Sequence, residues 1–338
     1  MLKRHVASRM ESKVVHASAG SSRQIDLTIP GKEDPLVTPT YFPAISSYDV
    51  SYSFRSLIRH FKHYPRVLIS AYDLYFLRPK IREEINAEIA GIPFVFLDSG
   101  VFEASRKADK RWNRELHKNV MSEIKFDFWS SFDVLPTKSS GDFAKKTIDG
   151  ILSSKEQCDK EGFVPIVHGS PRGLVSIIDE LTKHHPDLCN FVAVAERDCG
   201  ASILEKARTV LKIRKLLDSG EQHNQSRILH LLGCGDPISI LLFIFAGANS
   251  FDSLDWVKYA FHPDQPRLVR FSQLDLYNCD CMFCSGRKKN YVEKVLMHNL
   301  WFYQHFLGRI KTLIEENTLE NELEKIFGKK LLGKIERV

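Results

Sequence analysis

Along this chain, short apolar runs rich in β-branched and aromatic residues alternate with longer stretches whose apolar positions recur every three or four residues. The short runs fall at residues 41–45, 67–71, 94–98, 128–132, 164–168, 191–195, 228–232 and 249–252. A short, nearly continuous apolar run suits a strand buried on both faces. Residues 82–90, 143–152, 174–183 and 203–217 carry instead the stripe of an amphipathic helix. Eight strand–helix units in 338 residues predict a (β/α)8 TIM barrel over residues 31–275, with an open doubly wound sheet as the competing architecture. Residues 1–30 are polar, with SAGSS at positions 18–22, and read as a flexible N-terminal arm.

A barrel makes a sharp demand on function, because its chemistry gathers at the C-terminal ends of the strands. Here those ends carry Asp98, Asp133, His168, Glu196, Gly233 and Asp252. Ionisable groups closing apolar strands are poor core residues, so an active site rich in carboxylates is expected. Turn and helix-capping roles compete for Asp98 and Asp252.

Composition narrows the picture only a little. Hydrophobic residues make up 43% and charged residues 27%, as in a globular protein with a real core. The net charge of +6 permits a polyanionic partner without demanding one. The most apolar run, residues 238–248, is about half the length a membrane-spanning helix needs. The basic start MLKRHVASRMESK lacks the apolar stretch of a secretory signal, so a cytoplasmic location without membrane attachment is expected.

Three of the seven cysteines crowd into NCDCMFC, which suits metal binding in a reducing compartment better than a disulfide framework. Cys279, Cys281 and Cys284 supply thiolates in C-x-C-x-x-C spacing, and zinc asks for a fourth ligand. His298 and His305 lie on the helical pattern that comes next, seven residues apart and on nearly one face, so either could reach. A zinc ion closed in by four protein ligands would be structural. Residues 276–338 therefore read as a zinc-binding and helical C-terminal subdomain.

Two carboxylates facing one pocket suit displacement at a sugar's anomeric carbon, one as nucleophile and one as proton shuttle. FVFLDSGVF offers Asp98 with Phe102 as a stacking aromatic, and GANSFDSLDW offers Asp252. Asp133 in WSSFDVLPT, with His168 and Gly169 in VPIVHGSP, could hold the edges of a planar heterocycle.

Taken in order, these segments resemble the tRNA-guanine transglycosylase family. TPTYFPA and VLISAYDLYFLRP look like its first two barrel segments, and FLDSGVF is similar to its DSGG[YF]Q motif. WSSFDVLPT resembles AFDE, VAVAE resembles AVGE, LLGCG resembles LMGVG and NSFDS resembles MFDC. CDCMFC with MHNLWFYQ resembles the family's zinc element, and that likeness selects His298 over His305. The resemblance implies a pentosyltransferase in which Asp252 is the nucleophile and Asp98 the acid/base. Ser99, Phe102, Asp133, His168, Gly169, Glu196, Leu232 and Gly233 would bind the base. It implies no cofactor beyond structural Zn2+.

Three departures bear on the substrate. The usual VQG is VHG, so His168 stands where an amide is expected. The family's basic segment after the nucleophile, PTRxGRxG, is replaced by LDWVKYAFHPDQPR, and the stretch between the third cysteine and the zinc histidine is shorter than usual. This pattern resembles the branch that inserts 7-deazaguanine bases, of the 7-cyano-7-deazaguanine type, into DNA. DNA is therefore the expected partner and tRNA the alternative. Lys258, Arg267, Arg270 and residues 287–289 are candidate phosphate contacts. An accessory ATPase or helicase-like partner and a homodimer belong to the same expectation. A non-catalytic subunit would have no need of both Asp98 and Asp252.

Overall fold

The computed structural model describes residues 9–17, 21–47, 52–136, 143–219, 226–286 and 290–337. Strands β1 (Glu11–Ala17), β2 (Arg23–Thr28) and β3 (Leu36–Val37) form an antiparallel sheet. The barrel strands come next: β4 (Thr40–Ile45), β5 (Arg66–Ser70), β6 (Phe94–Asp98), β7 (Phe128–Ser130), β8 (Phe163–Val164), β9 (Ile166–Val167), β10 (Phe191–Ala195), β11 (Ile228–Leu232) and β12 (Ser250–Ser253).

All neighbours in this sheet pair in parallel, in the order β8-β7-β6-β5-β4-β12-β11-β10-β9. Its two end strands are halves of one extended segment, parted by Pro165, which has no N–H to give to a ladder. β8 pairs with β7 and β9 with β10, so the segment joins the two edges and the barrel closes. The eight predicted strands are these eight segments, and the TIM-barrel expectation is met.

Helices cover the outside, and their starts are written in the sequence. Ser170 accepts the Gly173 N–H through its side chain at 3.2 Å, and Pro171 opens the helix Pro171–His184. Asp236 does the same for Ser239 at 2.9 Å, ahead of Pro237 and the helix Pro237–Phe245. That last helix contains most of the strongly apolar stretch at residues 238–248 and is buried. Among the described residues, no helix is long and apolar enough to cross a membrane.

Inside the barrel, Phe42, Phe96, Phe128 and Phe191 meet edge to face, with centroids 5.2–6.1 Å apart. Each such side chain contributes roughly 1.5–3 kcal/mol by burial. These rings fill the interior of the barrel beneath the C-terminal ends of its strands.

The N-terminal segment departs from the expectation of a flexible arm. Residues 11–17 and 23–28 are strands, and Ile25, Leu27, Ile29 and Leu36 pack with the inward residues of the barrel. The reason is a period-two pattern, R-Q-I-D-L-T-I, whose apolar members share one face and cover the N-terminal end of the barrel. Arg23 fastens the sheet from outside, donating to both Asp218 oxygens at 2.9 and 2.7 Å. Residues 1–8 and 18–20 lie outside the described residues.

Beyond the barrel, β13 (Tyr259–Phe261) and β14 (Leu268–Arg270) make an antiparallel hairpin. A 25-residue helix, Tyr291–Glu315, comes after it, with two shorter ones, Leu319–Phe327 and Lys329–Glu336.

Candidate active site and metal centre

Side chains alternate along a strand, so every second residue of a barrel strand points inward. On β6 these are Phe94, Phe96 and Asp98; on β11 they are Ile228, His230 and Leu232. The last inward residues ring a cavity of about 320 Å³ at the strands' C-terminal ends. Asp98, Phe102, Asp133, His168, Glu196, Leu232, Gly233 and Asp252 all line it. Ser99 and Gly169 do not. Ser99 is buried and donates to Asp133 Oδ1 at 3.2 Å, while the Gly169 N–H points to Asp198 at 3.4 Å.

Asp98 is not a helix cap: the helix Val101–Arg106 is capped by Gly100, whose N–H reaches back to Asp98 Oδ2 at 3.0 Å. Gly100 has φ 72°, and a Cβ there would lie 2.4 Å from that of Tyr72, so this turn needs glycine. Burial holds the Asp98 carboxyl well above the usual range, and the charges of Asp133 and Glu103 push the same way.

Asp252 sits differently. Its Oδ1 accepts from the Gly233 N–H at 3.1 Å and faces His230 Nε2 at 3.1 Å. Gly233, at φ 76°, turns that N–H toward the carboxylate.

His168 lies between two carboxylates, with Nδ1 2.9 Å from Asp198 and Nε2 3.3 Å from Asp133. Burial disfavours its charge, but these hydrogen bonds outweigh that and push its pKa up to about 9. Both ring nitrogens are thus engaged, and His168 braces Asp133 instead of offering a free donor to the cavity. Phe102 carries the Arg197 guanidinium 4.8 Å from its ring centroid, so a base stacking on that face must take its place. Glu196 is paired with Lys206 at 2.7 Å.

The cavity wall also holds residues that no sequence motif singled out. Glu103 comes after Phe102 where the DSGG[YF]Q motif has glutamine; its Oε1 accepts from Ser46 at 2.5 Å, and burial raises its pKa to about 7. Asp255 reaches about 6, again through burial. Arg197 lines the same wall. His230, beneath Asp252, is legible in the sequence only as a polar residue at an inward position of an apolar strand. Of the candidate phosphate contacts, Lys258 reaches the cavity wall, and Arg267 and Arg270 lie beside and on β14, at the outside of the hairpin. Residues 287–289 lie outside the described residues.

On the C-terminal side, Cys279, Cys281, Cys284 and His298 bring four ligand atoms within 4.8 Å of one another. The three sulfurs lie 3.4, 3.5 and 3.5 Å from His298 Nδ1. A tetrahedral zinc with ordinary Zn–S and Zn–N bonds places sulfur and nitrogen about 3.6 Å apart. The donor set therefore fits such an ion. His298 Nε2 lies 2.9 Å from the Phe261 carbonyl and donates to it, which leaves Nδ1 free to ligate. His305 is outside this cluster: it is exposed, stacks on Trp301 and bonds the Trp301 carbonyl at 2.8 Å.

No protein-family model matches the chain. It is 26% identical over 293 residues to the tRNA-guanine(15) transglycosylase of Archaeoglobus fulgidus, an alignment covering 77% of this chain and 57% of that protein. To the protein of the same name from Sulfolobus acidocaldarius it is 20% identical over 309 residues, 85% of this chain and 61% of the relative. With that of Pyrococcus furiosus it shares 32% over 107 residues, 28% of this chain and 18% of the relative. The chain thus spans less than two thirds of the length of these curated relatives. Over most of its own length it is similar to proteins named tRNA-guanine(15) transglycosylase, and that likeness supports the guanine-transglycosylase family.

Proposed function

We propose that this protein is a guanine transglycosylase that exchanges guanine in DNA for a 7-deazaguanine base. The observation that carries the chemistry is the pair Asp98 and Asp252, on one cavity wall in unlike surroundings. Asp252 attacks the anomeric carbon as the bond to guanine N9 breaks, giving a sugar–aspartyl ester. Asp98, whose surroundings favour its protonated form, gives its proton to the departing base. An incoming 7-deazaguanine returns a ring proton to Asp98, its nitrogen bonds to the anomeric carbon, and Asp252 leaves as a carboxylate. Two inversions give net retention.

Asp133, with Glu196 and the Leu232–Gly233 backbone, offers edges for a heterocycle, and Phe102 offers a face. Cys279, Cys281, Cys284 and His298 would hold a structural zinc, which ties the C-terminal subdomain to the barrel without entering the reaction.

The segment after the nucleophile favours DNA. LDWVKYAFHPDQPR forms the helix Asp255–Lys258, strand β13 and the turn that leads into β14, in place of the family's Gly-containing basic segment. The second reading, a tRNA enzyme of the same chemistry, is favoured by the relatives' names.

Incubation with labelled 7-cyano-7-deazaguanine and duplex DNA, single-stranded DNA or bulk tRNA separates the two. Label is expected in DNA with wild type and absent with Asp252→Ala. Label in tRNA alone would overturn the choice of DNA, and label retained by Asp252→Ala would overturn the nucleophile.

A further inference from the structure

Beneath Asp252 lies a buried relay that neither the motifs nor the proposed reaction uses. His230 is fully buried, and its ring meets Phe96, Phe191 and Phe42 at centroid distances of 5.4, 6.1 and 6.3 Å. Its Nε2 lies 3.1 Å from Asp252 Oδ1 and its Nδ1 2.8 Å from Ser250 Oγ. The β11–β12 register sets His230 directly opposite Ser250, and Asp252 is the next inward residue of β12.

An ionised carboxylate only accepts, so Nε2 must carry the proton, and the Ser250 hydroxyl then donates to Nδ1. Asp252 Oδ1 therefore takes two donors, His230 Nε2–H and Gly233 N–H. Both reach the same oxygen, which leaves Oδ2 to face the cavity that Asp252 lines. A histidine in a phenylalanine-lined core needs a reason to be there, since leucine would fill the space without burying polar nitrogens.

Resting on the transglycosylase reading, we infer that His230 is the positioning residue for the nucleophile. It pins Oδ1 so that Oδ2 is the oxygen that attacks the anomeric carbon. In the ester, Oδ2 bonds to the sugar and Oδ1 becomes the carbonyl oxygen, still facing both donors. When the incoming base displaces the ester, the electron pair of the broken bond returns to the carboxylate. The same two donors stabilise that returning charge. Ser250 fixes the tautomer, a role outside the reacting atoms.

Kinetics on single variants test this. His230→Ala should lower kcat by about 10²-fold while KM for the base changes little, because orientation and charge stabilisation are lost but the base site is not. His230→Gln, whose amide can still donate to Oδ1, should recover part of that loss. Ser250→Ala, a small change that leaves the core filled, should fall between wild type and His230→Ala. A folded His230→Ala with unchanged kcat, or a loss confined to KM, would overturn the role.

A second measurement needs no turnover. In ¹⁵N-histidine spectra, His230 should appear as the Nε2–H tautomer, with a signal that moves in Asp252→Asn. An Nδ1–H tautomer would overturn the relay whether or not base transfer is seen. If the spectrum shows the expected tautomer but wild type transfers no base into DNA or tRNA, the transglycosylase reading fails and takes the positioning role with it.

Discussion

Asp98 and Asp252 are chemically the same side chain, and their neighbours set them apart. Asp98 is surrounded by other carboxyls in a desolvated wall, and burial with their charges holds its carboxyl well above the usual range. Asp252 is instead pinned through one oxygen, which faces the Gly233 N–H and His230 Nε2. Asp98→Asn keeps the shape but loses the proton shuttle, and should cost about 10²–10⁴ in kcat, measured by steady-state base exchange. His168 makes a second prediction at this scale. Its folded pKa of about 9 lies above the ordinary 6.5, so its contribution to stability is full below pH 6.5 and is lost as pH rises toward 9. Thermal melts between pH 6.5 and 9 should show Tm falling in wild type. His168→Gln, which cannot titrate, should flatten that slope; an equally steep slope would show that the Asp133–His168–Asp198 bridge is not its source.

The C-terminal elements brace the segment after Asp252. Asn299, beside His298 on the long helix, accepts the Phe261 N–H at 3.2 Å and donates to the Trp256 and Tyr259 carbonyls at 2.7 Å each. The proposed zinc would thus hold residues 256–261 through two consecutive side chains, His298 and Asn299. Chelation, or Cys281→Ser, should lower Tm and weaken base exchange together, with zinc content tracked by atomic absorption. Loss of metal with no change in Tm would contradict a structural role. A second brace is Arg214, fully buried, which donates to the Gly247 and Arg227 carbonyls at 2.8 Å each and to Asn249 Oδ1 at 2.6 Å. These are the ends of the segments entering β11 and β12. Arg214→Leu strands several acceptors and should destabilise by about 3 kcal/mol in denaturant melts.

At the scale of the whole molecule, a net charge of +6 coexists with a cavity ringed by carboxylates. The excess positive charge therefore lies outside that ring of carboxylates, and Lys258, Arg267 and Arg270 come soon after Asp252 in sequence. If they contact phosphates, log K for DNA should fall linearly with log salt, and each alanine substitution should lessen the slope by about 0.9. Fluorescence anisotropy across a salt series measures this directly, and unchanged slopes would move the nucleic-acid path elsewhere.

By itself the sequence pointed to the barrel and gathered three cysteines at metal-ligand spacing. Eight apolar runs at strand length, several ending in ionisable residues, pointed to the barrel over an open doubly wound sheet, because buried parallel strands and amphipathic helices are local patterns. C-x-C-x-x-C is likewise local. The same local reading takes the first thirty residues for a loose arm, since an isolated period-two pattern such as that around Ile25 and Leu27 gains its meaning only from the barrel floor it covers. Only the tertiary structure decided what depends on contacts between strands. It turned both nitrogens of His168 to carboxylates, raised Glu103 and Asp98 chiefly through burial, and placed His230 under Asp252. It also showed what aims His298, the histidine that the family likeness selects, at the sulfurs: a hydrogen bond from its other ring nitrogen to the Phe261 carbonyl. Electrostatics and orientation arise from neighbours far apart in the chain, and no local pattern carries them.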